Sequence, residues 1–160
     1  ARVKQAAGEL VNQYPRSQFA ALGALLAAST FDAAGDAKSA AAQLTWVAEN
    51  AKDAVRGIAR LRLAGIQMDQ NDAAGALKTL SDKAPVGFTA RYDAARGDAY
   101  AMQGKLTEAR ASYDAAIKAL DVGGKDVTPD REFASSEPGQ LLRRLVIEKR
   151  DALQASSAKQ

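Results

Sequence analysis

The stretch FDAAGDAKSAAAQLTWV, residues 31–47, recurs in altered form as QMDQNDAAGALKTLSDK at 67–83 and as YAMQGKLTEARASYDAA at 100–116. Aligned on the turn residues Gly35, Asn71 and Gly104, the three share a register. Five residues after the turn stand Ala40, Ala76 and Ala109; nine after it, Leu44, Leu80 and Tyr113; twelve after it, Val47, Lys83 and Ala116. Seven residues before the turn stand Ala28, Ala64 and Gly97, and four before it Phe31, Gln67 and Tyr100. The turns are 36 and 33 residues apart, a period that belongs to stacked supersecondary units. Gly or Asn at the turn can take the left-handed conformation that ends a helix. Asp36 or Asp72, next in line, can cap the following helix. Lys105 cannot, which points to Thr107 as the start of that helix.

This pattern resembles the tetratricopeptide repeat, a helix–turn–helix unit with small residues where its two helices meet and aromatics between them. The repeats are degenerate: Gln67 stands for an aromatic, Lys83 for a small residue, and the first-helix Trp is absent. The expected fold is all-α, a right-handed superhelix of antiparallel helix pairs in one domain over 1–153. Residues 1–14 would be an incomplete leading repeat, and 21–54, 57–89 and 90–123 the three repeats. Helices are expected near 2–13, 17–33, 37–50, 54–70, 73–83, 88–103, 106–120 and 139–153. The Gly-, Pro- and Ser-rich segment 121–138 reads as a mobile loop. The last helix caps the stack with Leu141, Leu142, Leu145, Val146, Ile147 and Leu153, and 154–160 reads as a disordered tail.

Composition narrows the chemistry. Apolar residues make up 47% of 160, yet aromatics only 6%, because alanine, the best helix former, carries the difference. No His and no Cys excludes Ser-His-Asp and Cys-His catalysis, imidazole or thiolate zinc sites and redox dithiols. Paired carboxylates stay open, but none sits in a recognisable catalytic context, and neither an enzyme, a cofactor nor a metal is expected. The charge of +3 is spread over 22 basic and 19 acidic residues. The basic run Arg143, Arg144, Lys149 and Arg150 is broken by Glu148 and Asp151 and holds no aromatics for base stacking, so no nucleic acid is expected. No phosphate-loop motif occurs. The longest apolar run, Phe19 to Ala28, is about half of the roughly 20 residues a membrane-spanning helix needs. The chain opens on Ala1 and not on Met, as expected of a trimmed or processed chain.

The order of segments is more specific. ELVNQYPRSQFAALGALLAASTFDAAGDAKSAAAQLTWV is followed by GIARLRLAGIQMDQNDAAGALKTL and RYDAARGDAYAMQGKLTEARASYDAAIKAL. Over about residues 7–120 this resembles the periplasmic domain of the YfgM family, the ancillary subunit of the bacterial Sec translocon. The middle block, Arg60 to Ala64 with Gln67 and Ala76 to Leu80, is the most telling. The resemblance implies a helical domain on the periplasmic side of the inner membrane, held there by an upstream anchor that this sequence does not contain. Its implied partners are the translocon and the periplasmic chaperone PpiD, and its implied role is chaperone-like help to newly exported proteins. The alternative is a tetratricopeptide scaffold of another envelope or cytoplasmic complex.

Repeat register places a partner groove on the first helices. It comprises Leu22, Leu25, Ser29 and Asp32, then Ile58, Leu61, Gly65 and Met68, then Arg91, Ala94, Asp98 and Ala101. The same residues could instead be covered by neighbouring helices or by the C-terminal helix, and sequence leaves both readings open. A clamp for a C-terminal carboxylate of the Lys/Asn kind is not expected, because Arg91 is the only basic groove residue. Trp46 reads as packing against the next hairpin. Arg56, Arg60 and Arg62 read as partners of Asp53 and nearby carboxylates.

Overall fold

The structure, a computed structural model, describes residues 2–121 and 128–157. Its organising feature is the turn. Gly35, Asn71 and Gly104 all take positive φ, at 74°, 61° and 71°. Each donates its N–H to the carbonyl three residues back, on Asp32, Met68 and Ala101, at 2.8, 2.9 and 2.9 Å. The next N–H donates to the carbonyl five residues back, on Phe31, Gln67 and Tyr100, at 2.9, 2.8 and 3.0 Å. These are the paired bonds of a Schellman motif, which satisfy carbonyls that a helix end would otherwise leave orphaned.

The chain divides into two compact units, residues 1–66 and 67–160. The first holds α1 (Arg2–Gln13), α2 (Gln18–Ala33), α3 (Ala37–Asn50) and most of α4 (Asp53–Asp69). Ser17 caps α2, its Oγ accepting from the Phe19 N–H, and Asp36 caps α3 through the Ser39 N–H at 3.1 Å. α2 packs against α1, where Leu10 and Ala7 lie close to Gly23, and against α3. The core joins Ala21, Ala24, Leu25 and Ala28 of α2 to Ala40, Leu44 and Val47 of α3 and to Ala59, Leu63 and Ile66 of α4.

The second unit holds α5 (Ala73–Thr79), α6 (Thr89–Met102), α7 (Leu106–Ala119), α8 (Pro129–Ser135) and α9 (Glu137–Ser157). Asp72 caps α5 through the Gly75 N–H at 2.8 Å. Lys105 has almost the same backbone angles as Asp36 and Asp72 but forms no side-chain cap. α7 therefore begins at Leu106 and not at Thr107: the turn places the cap residue whether or not its side chain can bond. Tyr113, Ala109 and Ala116 of α7 form a core with Ala94 of α6 and Val146 of α9. Leu120, Ala90 and Ala134 form a second one at the other end.

Three expectations are corrected. α5 stops at Thr79 rather than 83, because the Arg96 guanidinium donates to the carbonyls of Leu80 and Asp82 and closes that helix end from α6. The expected loop over 121–138 is helical from Pro129 on, while 122–127 lie outside the described residues. Thr128 caps α8, Pro129 takes the first helical position where its missing N–H costs nothing, and Asp130 and Glu132 fill the first turn. Ser136 then caps α9 through the Gly139 N–H at 3.2 Å, so that Pro138 falls in another first turn. The expected tail is helical to Ser157. Of the capping residues, Val146 is buried and Leu142 and Leu153 pack beside it, but Leu141 and Leu145 face outward. Among the described residues no strand occurs, and no helix is long and apolar enough to cross a membrane.

The repeat's small positions are closed: Ala40, Ala76 and Ala109 are all 0% exposed. At Gly97 an added Cβ would run into the Tyr113 ring, whereas one at Gly65 would meet nothing. Ala109→Leu and Gly97→Ala are each expected to cost about 1–3 kcal/mol by overpacking, and Gly65→Ala to gain up to about 1 kcal/mol from helix propensity. Asp36→Ala and Asp72→Ala should each cost about 1 kcal/mol, and Lys105→Ala close to nothing. Chemical denaturation of the six variants checks the pattern, and equal effects at 97 and 65 would contradict the packing described.

Candidate protein-interaction surface

α2 is apolar almost all the way round, yet part of it is left uncovered. Ala20, Ala21, Ala24, Leu25, Ala27 and Ala28 are buried. On the other side Phe19, Leu22 and Leu26 are 73%, 47% and 57% exposed, at spacings that place them on one helix face. Of the expected groove residues, Leu22 belongs to this face. Leu25 does not: at 9% exposure it is part of the core. Repeat register thus put one exposed residue of α2, Leu22, and one core residue, Leu25, into the expected groove, and left out the exposed Phe19 and Leu26. On a helix with apolar residues on every side, periodicity carries too little contrast to separate 25 from 26.

The next expected groove residues lie partly on the same unit. Ser29 is exposed, and its Oγ accepts from Arg62 Nη1 at 2.8 Å, tying α2 to α4. Asp32 is exposed. Ile58 and Leu61 are half-buried on α4, with Ile58 packed against the core. Arg56 donates from Nε to the Ala51 carbonyl at 2.8 Å, closing the C-terminus of α3. Arg56 and Arg62 thus serve a backbone carbonyl and a hydroxyl, not the carboxylates expected for them. Trp46 is half-buried and packs against the core of the first unit.

In the second unit Met68 and Ala101 are half-buried, but the α6 positions are taken up by the C-terminal helices. The Arg91 guanidinium lies 3.6 Å from the centre of the Phe133 ring of α8 and 4.9 Å from that of Phe88. Burial lowers its pKa, and the charge of Asp130 partly offsets this. Ala94 is buried in the core with Val146. Asp98 accepts from the Tyr113 hydroxyl at 2.7 Å and from Lys149 Nζ of α9 at 2.7 and 2.9 Å. Burial, with the Asp98 hydrogen bond and charge behind it, pushes the Tyr113 hydroxyl pKa up. Of the two readings sequence left open, coverage by the C-terminal helices holds for Arg91, Ala94 and Asp98. The contacts of α6 with α8 and α9, and the Thr89 N–H donated to Asp130 at 3.1 Å that caps α6, had no signal in sequence because their partners lie 41 to 52 residues away.

A scaffold of short helix pairs with an apolar face bare on one helix is of the class that serves as a protein-interaction module. A family profile described as a tetratricopeptide repeat-like domain matches residues 1–130, and the chain belongs to that family. It is similar to the ancillary SecYEG translocon subunit of Neisseria gonorrhoeae, with 32% identity over 113 residues, and to that of Escherichia coli, with 31% over 115. The resemblance to the YfgM family is thereby shown. The aligned stretches cover 70% and 71% of this chain but 54% and 53% of those proteins, so the chain spans about half the length of the relatives it matches.

The division of α2 into two faces has a direct test. Leu25→Asp should cost about 3 kcal/mol or more by burying a charge, and Leu22→Asp no more than about 0.5 kcal/mol. Thermal unfolding of the two variants checks this.

Proposed function

We propose that this chain is the interaction domain of a translocon-associated helper, and that α2 of its first unit carries the docking face. The observation that supports this best is the stripe of Phe19, Leu22 and Leu26, left bare on a helix whose other side is locked into the core. Exposed apolar surface of this kind marks interaction sites. The names of the two relatives supply the partner: by similarity it is the SecYEG translocon. The domain works on the periplasmic side of the inner membrane, beside the chaperone PpiD, and gives chaperone-like help to newly exported proteins. It does so by binding and not by catalysis. Ser29, Ile58 and Leu61 of the same unit extend the set of candidate groove residues. An apolar segment or one face of an amphipathic helix from the partner would bury area against α2 at about 25 cal/mol per Å² before ordering costs.

The test is capture of solubilised SecYEG by the immobilised domain. Leu22→Asp combined with Leu26→Asp is expected to reduce capture at least about tenfold, in line with the loss of a central apolar anchor, while far-UV circular dichroism stays unchanged. Capture at the original level would remove α2 from the proposal. Capture of no SecYEG by the unaltered domain would remove the translocon.

A further inference from the structure

The first unit also holds a concave site that the docking face does not use. Where the link between α1 and α2 runs beside the link between α3 and α4, a cleft of about 440 Å³ opens, lined among others by Pro15, Arg16, Gln18, Trp46, Lys52 and Asp53. That is within the roughly 300–1,000 Å³ range of clefts that hold small ligands. Trp46 forms part of its wall: the side chain packs against the core yet is only half-buried. Arg16 and Lys52 are exposed, and among the described residues neither is held in an ion pair. Asp53, with φ of 47°, is the one carboxylate of the lining and leaves one cation in excess. An indole wall suits an apolar side chain, and an uncommitted guanidinium suits a planar carboxylate.

We infer that this cleft binds a short peptide that carries an apolar side chain next to a carboxylate, either a free C-terminus or an acidic side chain. The inference stands apart from the α2 face, and its test does not involve SecYEG.

Trp46 is the single tryptophan of the chain, so its fluorescence reports on this cleft. The probes are acetyl-Leu-Phe with a free carboxylate, the same dipeptide as its amide, and acetyl-Asp-Phe-amide. A saturable change in emission is expected for at least one carboxylate peptide, with the neutral amide binding at least about fivefold more weakly. Which carboxylate peptide binds identifies the source. This comparison uses the unchanged protein, so no folding defect enters it. Arg16→Gln with Lys52→Gln should weaken binding about tenfold with the melting temperature unchanged. Asp53→Asn, which keeps a residue tolerant of positive φ, should tighten it about twofold or more by removing a like charge. Leu22→Asp with Leu26→Asp should leave it alone. The inference is overturned if no peptide gives a saturable change, if the amide binds as tightly as the acids, or if the double charge variant binds as the original does.

Discussion

A left-handed residue at the end of a helix is the constraint on which the other features of this chain depend. Once Gly35, Asn71 and Gly104 take positive φ, two hydrogen bonds close the preceding helix and the next residue starts another. The chain reverses at a fixed offset from both helices. That offset determines which side chains meet, and within each unit the meeting positions are filled by small residues, Ala28 and Gly97 on one side and Ala40 and Ala109 on the other. Their small size lets backbones approach closely, and Tyr113 shows the consequence: its ring lies where a side chain on Gly97 would have to go.

The same repeat position meets two fates. On α2 the outward residues Phe19, Leu22 and Leu26 remain bare. On α6 the equivalent side is taken up by the chain itself, with Arg91 against Phe133 and Asp98 held by Tyr113 and Lys149. Repeats of one chain thus share a helix-pair scaffold while differing in which helix stays available. Fold alone does not settle function.

Sequence revealed whatever is local. The turn residues, the caps on Asp36 and Asp72 and the small positions were legible because each acts within a dozen residues. The end of α5 was not, because Arg96 supplies the bonds that close it. α8 carried a readable start in Thr128, Pro129 and Asp130, but the surrounding Gly, Pro and Ser masked it and the segment read as loop. The split between Leu25 and Leu26 turns on which side of an almost wholly apolar helix meets its neighbours. That is a property of packing, and hydropathy alone cannot rank the two.

The central claim is that the bare face of α2, and not the back of its hairpin, meets the partner. Site-specific photocrosslinking in native membranes tests it most directly. A photoreactive residue placed at Leu22 or Leu26 should form adducts with a translocon subunit, and one at Ala42, exposed on α3, should not. Adducts from position 42 alone, or none from 22 and 26, would contradict the account.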